Sequence, residues 1–276
     1  MQLIRHRPAA PLDRYVQCLW WSRRDEPQGY CEHILPSGGV QLLFALHETP
    51  IVCWPGSPSK RRIEWSDSLV HGPQWNYYIA GPKPRGPIAG VAFRPGAAGA
   101  VLGLPMAELA DHHVSLSTLW GKSGRELHER LMAARDPIDV FSVLEQDLCA
   151  RIQRLFLMHP VIAHALSTCS TTGSAVRVAE IQREAGYSPR HFIALFRAAV
   201  GLTPKHYYRI QRFNSVLRLL ASRDGRNLAE IAALGGFADQ AHFTREFREL
   251  AGITPTQYRP GGFDRPLHHR ATDLLR

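Results

Sequence analysis

Apolar positions recur with two different periods along the chain. Between residues 12 and 94 they come in short runs: Tyr15 to Trp21, Val40 to Leu46, Trp75 to Ala80 and Ile88 to Phe93. Turn residues such as Ser37-Gly38-Gly39 separate them. Short apolar runs bounded by Gly and Pro predict strands, and here a small β-domain that is barrel-like. After Arg94-Pro95-Gly96 the spacing becomes helical. Over 137–155, Ile138, Phe141, Leu144, Leu148, Ile152 and Leu155 stand three or four residues apart, the stripe of an amphipathic helix. That stripe either packs on its own β-domain or joins two copies of the chain.

The last third of the chain is helical and repeats itself. Residues 191–207, HFIALFRAAVGLTPKHY, align with 242–258, HFTREFRELAGITPTQY, at an offset of 51 with eight identities. Upstream, VAEIQREAGY (178–187) aligns with LAEIAALGGF (228–237) at an offset of 50, so the second copy has one extra residue in its turn. Each copy reads as helix, tight turn, helix. In the second, a helix over 229–234 is broken by Gly235-Gly236, and another runs from about Gln240 to Ala251. Phe243, Phe247 and Leu250 share one face of it, leaving Ala241, Thr244, Arg245 and Arg248 opposite. In the first, Ser188-Pro189 is an N-cap followed by a first-turn proline. Phe192, Phe196 and Ala199 then face inward, and Arg190, Ile193, Ala194 and Arg197 outward. Thr203-Pro204 and Thr254-Pro255 start two further helices by the same device. The first runs to about Ser222, joins the two copies and spans about 27 Å at 1.5 Å per residue. That length approaches the ~34 Å between successive major grooves on one face of DNA.

Charge follows the repeat. The 276 residues carry 33 Lys+Arg against 24 Asp+Glu, a net of +9, and residues 176–259 alone hold 13 against 7. Residues 1–175 are nearly balanced at 17 against 15. A basic surface confined to a duplicated helical unit points to an anionic polymer as partner. All six Trp lie at or before Trp120, which also sets the two halves apart. The expected units are therefore a regulatory half over 1–156 (β-rich over 1–95, helical over 96–156), a helical unit over 157–260 and a flexible tail over 261–276.

At 231–259 (IAALGGFADQAHFTREFRELAGITPTQYR) and 185–213 (AGYSPRHFIALFRAAVGLTPKHYYRIQRF) the chain resembles the AraC/XylS family of bacterial transcription regulators. The resemblance covers roughly 157–259. It implies an α+β protein whose C-terminal part is an all-α, seven-helix double helix-turn-helix unit. That unit would read two adjacent major grooves of double-stranded DNA. By position, the base-facing residues would be Arg190, Ile193 and Ala194 in the first recognition helix. In the second they would be Gln240, Ala241, His242, Thr244 and Arg245. Arginine suits guanine and glutamine adenine, whereas Ile193 and Ala194 offer only apolar contact. Ser188, Lys205, Arg212 and Arg248, together with Arg197, would contact phosphates. The first motif departs from the pattern: Gln182 precedes Gly186 where Ala232 precedes Gly236, so weaker base readout is expected from it. Residues 91–121 are similar to the sensor half of one subgroup whose ligands are generally unassigned. The scattered cysteines point to a reducing cytoplasm, and the expected partners are a small-molecule effector unless the first half serves assembly, a second copy of the chain, and RNA polymerase where the protein is an activator.

The tryptophans and one arginine supply an effector-pocket candidate: Trp20, Trp54, Trp75 and Arg94. Cys31-x-His33 with His47 or His71 fits no established ligand spacing, so no metal is expected. The five scattered cysteines include no CxxC pair. GxSxG, HExxH, Walker and GxGxxG motifs do not occur, so neither catalysis nor a cofactor is expected. No leader or membrane-spanning run is read from the chain. The alternative kept open is a metal-binding or enzymatic first half fused to a DNA-binding unit.

Overall fold

The computed structural model describes residues 2–25, 29–56, 62–82, 85–152, 158–172, 178–184, 186–222, 224–261 and 266–271. The expected domain boundary at 156/157 lies outside them, as do Leu155 and parts of the tail.

The β-domain is a sandwich of two antiparallel sheets. The first contains β1 (Gln2–His6), β2 (Val16–Arg24), β4 (Gln41–Ala45), β7 (Ser68–His71), β9 (Gly86–Phe93) and β10 (His113–Ser115), in the order β1-β2-β9-β4-β7-β10. The second contains β3 (Cys31–Ile34), β5 (Ile51–Pro55), β6 (Ile63–Trp65), β8 (Tyr78–Ala80) and β11 (His268–Ala271), in the order β11-β3-β8-β5-β6. Alternation along each strand divides the side chains between two faces. On the first sheet, Leu19, Trp21, Leu42, Phe44, Val70 and Val91 point to one side. There they bury Leu116 of α2 (Leu116–Trp120), Leu127 and Leu131 of α3 (Lys122–Met132), and Phe141, Leu144 and Leu148 of α4 (Pro137–Ala150). The described part of the amphipathic stripe, apart from the exposed Ile138, thus packs within its own chain. A short α1 (Gly99–Leu102) and a 3-10 turn at Met106–Leu109 complete this layer. Between the sheets, Ala45, Leu69 and Ile88 meet Ile51, Ile63 and Trp65.

The C-terminal unit has α5 (Pro160–Thr172), α6 (Val178–Glu184), α7 (Pro189–Val200), α8 (Pro204–Ser222), α9 (Leu228–Leu234) and α10 (Gln240–Ala251). Each repeat has its own core. Phe192, Phe196 and Val200 of α7 pack with Tyr207 and Ile210 from the first half of α8. Phe243, Phe247 and Leu250 of α10 pack with Phe213 and Leu217 from its second half. One continuous helix therefore belongs to both cores, which fixes each repeat to it.

Three expectations need correction. The family's seventh helix, expected from Pro255, is a single turn closed by Gln257 N–H and Tyr258 N–H on the Thr254 carbonyl. The described residues thus contain six helices in this unit, and Pro260-Gly261 stops the last turn from extending. The run from Trp75 pairs only at Tyr78–Ala80, because Trp75 is drawn to the helical unit. The tail is not free over 268–271. It returns to the β-domain as β11, pairing antiparallel with β3, and His268 Nδ1 lies 3.0 Å from the buried Glu32 carboxylate. Unpaired edge groups of β3 give this polar segment its place, which side-chain pattern alone does not announce.

Candidate nucleic-acid interface

The two recognition helices, α7 and α10, are built by the same devices at equivalent positions. Ser188 Oγ accepts a hydrogen bond from His191 N–H, and Asp239 Oδ1 accepts one from His242 N–H at 2.6 Å. These N-caps satisfy amides that the helix itself leaves unpaired. At the other ends stand Gly201 (φ 88°) and Gly252 (φ 72°). Both donate N–H to the carbonyl four residues back, Arg197 and Arg248. Left-handed backbone at a helix end suits glycine, the one residue without a Cβ penalty there. Between the caps, one face of each helix is buried phenylalanine and the other is free.

Most of the residues expected at the interface lie on that free face. Arg190, Ala194, Arg197, Gln240, Ala241, Arg245 and Arg248 are exposed, and Ile193 and Thr244 are half-buried. Lys205, at the start of α8, is exposed as well. Among the described residues, Arg190, Arg197, Lys205, Arg245 and Arg248 form no ion pair, so all five cations are available to an anionic partner. Ser188 carries its capping bond while staying exposed, so its hydroxyl proton can still be donated. Thr244 Oγ1 donates within the helix to the Gln240 carbonyl.

Two residues of the expected set are used internally. Arg212 Nη2 reaches both oxygens of Glu246 at 2.6 Å, and its guanidinium lies 4.3 Å from the Phe237 ring centroid. It ties α8 to α10. His242 packs edge-on against Phe237, accepts from Ala238 N–H and places Nε2 3.4 Å from Glu246. It closes the turn before α10.

Glu246 is the residue that sequence reasoning missed. It is 9% exposed and sits between Arg212 and Arg209, with Arg209 Nε 3.3 Å away. Arg209 also pairs with Glu249, whose carboxyl that hydrogen bond holds below its ordinary range. Burial, and then the charges of Arg209 and Lys205, lower the pKa of the neighbouring His206. In the first repeat Leu195 stands at the equivalent place, so this carboxylate belongs to the second repeat alone. Gln182 is half-buried where Ala232 is fully buried, in keeping with a tighter helix-helix contact in the second motif.

The effector-pocket candidates do not converge. Trp20 lies across Gly90, where an added Cβ would come within 2.2 Å of the indole. Trp54 is on the second sheet, packed with Cys31 and Ile79. Trp75 is 42% exposed beside α8. Arg94 Nε donates to the Asp13 carbonyl at 2.7 Å, and its backbone N–H to Tyr15, so it pins the chain around β2. A different group does meet inside the sandwich. The rings of His71, Tyr78 and His113 lie 4.5–4.9 Å apart. Among the described residues His71 Nδ1 has no hydrogen-bond partner, and the His113 nitrogens, though near the His112 backbone, form no well-aligned bond. Burial drives His71 well below the ordinary histidine range and His113 down to about 4. Cys31 and His33 face away from this group, on the opposite side of the second sheet, where His33 Nδ1–H donates to the Ala251 carbonyl.

Comparison with known proteins agrees with this construction. A model described as a helix-turn-helix domain matches residues 181–261, and one described as a domain of unknown function, DUF6597, matches 4–115. The chain is 36% identical over 83 residues to "Probable transcriptional regulator LumQ" of Photobacterium leiognathi, covering 30% of this chain and 33% of that one. It thus spans about a third of that relative's length. It is 30% identical over 97 residues to "Probable transcription factor PqrA" of Proteus vulgaris, covering 35% of this chain and 79% of that one. With the "HTH-type transcriptional regulator ExsA" of Pseudomonas aeruginosa the identity is 28% over 182 residues, 63% of this chain and 59% of the relative. No helix among the described residues is long and apolar enough to cross a membrane. The helix-turn-helix match over 181–261, which spans both recognition helices, and the relative matched at 30% identity over 79% of its length show that the chain belongs to the AraC/XylS family of transcriptional regulators.

Proposed function

We propose that this protein is a sequence-specific regulator that acts in the cytoplasm, reading two adjacent major grooves of duplex DNA with α7 and α10. The observation that carries the reading is the equivalence of the two helices. Both are N-capped at positions 51 apart, both bury phenylalanines, and both leave arginines unpaired on the free face. Arg245, Gln240 and Arg190 supply the base-reading chemistry. Arg197, Lys205, Arg248 and Ser188 neutralise or bond phosphates. Arg212 and His242 hold the second motif in shape. Ala241, Ala194, Ile193 and Thr244 line the groove side of the two helices.

The first half senses a small molecule. This is supported by the imidazoles of His71 and His113 inside the sandwich, since buried polar atoms without partners mark places where a ligand or water completes the structure. Homodimers would form through the helical layer, where Ile138 and Met132 are exposed. Where the protein activates transcription, RNA polymerase is its further partner.

Binding to duplex DNA as a function of salt tests the reading. A steep linear fall of log affinity with log salt, together with a preference for one sequence over random duplex, is expected. Salt-insensitive binding, or none, would overturn it.

A further inference from the structure

The segment between β7 and β8, Gly72 to Tyr77, passes from the first sheet to the second and touches the helical unit at three alternate residues. A Cβ added at Gly201, the C-terminal glycine of α7, would lie 2.3 Å from Pro73 Cγ. The indole of Trp75 meets the His206 ring of α8 edge-on at 5.0 Å. A Cβ at Gly252, the C-terminal glycine of α10, would lie 2.3 Å from Tyr77 Cζ. One five-residue stretch therefore rests on both recognition helices and on the helix that joins them. It meets the two recognition helices at equivalent positions of the repeat.

The stretch is held from beneath. Gly72 N–H donates to the His112 carbonyl, Asp111 N–H donates to the Pro73 carbonyl, and Gln74 Nε2 bonds the Gly72 and His112 carbonyls at 3.3 Å each. Tyr77 stacks on His33 at 4.8 Å, and His33 in turn holds the Ala251 carbonyl at 3.1 Å. The residues flanking Gly72 to Tyr77 are His71 and Tyr78, whose rings pack together between the sheets. Through these two residues the stretch is anchored in both sheets. Beside Trp75 lies a cleft of about 190 Å³ bordered by Asn76, Arg209 and Glu249.

We propose that Pro73 to Tyr77 is a coupling strap that sets the mutual position of the two recognition helices, so that this one segment links the β-domain to both. The proposal rests on the DNA reading given above and adds the route of its regulation. Reading two grooves about 34 Å apart requires both helices to be in register at once, whereas reading one groove does not. Loosening the strap therefore acts on two-groove binding and spares one-groove binding.

The test uses the full chain and two duplexes obtained by selection from a random pool, one intact and one with a single block scrambled. Trp75→Ala is the first variant, since the side chain is already 42% exposed. Pro73→Gly is the second, and Trp75→Phe is the conservative control. Both loosening variants are expected to change affinity for the intact duplex by about fivefold or more. They should leave the scrambled one within about twofold of wild type, and Trp75→Phe should restore the wild-type ratio. Equal effects on the two duplexes, or none, overturn the strap. Wild-type protein that prefers neither duplex refutes the DNA reading instead. The strap is then judged without DNA, by amide exchange at Gly201 and Gly252. A joint rise in the loosened variants supports it, and unchanged exchange at both overturns it.

Discussion

Glu246→Gln removes one negative charge from the contact that ties the second recognition helix to α8 while keeping the side chain's size. Breaking a fully buried ion pair costs about 3–5 kcal/mol, because the remaining charge is left uncompensated. Glu246 is 9% exposed, but Arg209 and Arg212 are 24% and 21% exposed, and Arg209 keeps Glu249. Water therefore relieves part of the loss, which brings the expected destabilisation to about 1–3 kcal/mol. At about 2–4 °C per kcal/mol, the melting midpoint should fall by about 2–12 °C. The comparison is Glu249→Gln, whose carboxylate is 63% exposed and should cost less than about 1 kcal/mol. Thermal unfolding followed by circular dichroism at constant pH and salt reads both. An unshifted midpoint for Glu246→Gln, or equal losses for the two variants, would show that the buried carboxylate does not hold α10 in place.

Arg248→Ala should weaken binding to all sequences alike and make the log–log salt slope shallower by about one, because one phosphate contact is lost. A sequence-dependent loss would reassign it to a base. Arg212→Ala should lower the melting midpoint while leaving the salt slope near that of wild type; a shallower slope would restore its phosphate role. His71 and His113 have folded pKa values below the ordinary 6.5, so the unfolded chain takes up protons first as pH falls. Their contribution to stability is present above pH 6.5 and declines towards pH 4, and His113→Gln should flatten the midpoint-versus-pH curve between 7 and 5. A curve unchanged by that substitution would contradict the buried neutral state.

The helical half was legible because its signals are local. Ser188 and Asp239, Gly201 and Gly252, and the paired phenylalanines lie within thirteen residues of one another in each copy. The helix limits at Gln240–Ala251 and Pro204–Ser222 follow from caps and breakers alone. What failed to show was set by distant partners. Glu246 reads as one more surface charge on α10 until Arg209 and Arg212, 37 and 34 residues earlier, are seen to meet it. The same meeting gives Arg212 an internal partner that its place in the sequence does not announce. In the β-domain the apolar runs marked some strands, but β3, β10 and β11 hold histidines and polar residues and exist through backbone pairing with strands far away in sequence. Trp75 belonged to an apolar run and yet serves the contact with α8, which no periodicity distinguishes from strand.

The central claim is that both recognition helices read bases from one chain. Selection of bound duplexes from a random pool, repeated with Arg245→Ala, tests it most directly. The account predicts two enriched blocks about 10–10.5 base pairs apart. The substitution should relax one position of one block at a loss of about 1–3 kcal/mol. A single block, or a uniform loss across all sequences, would contradict it.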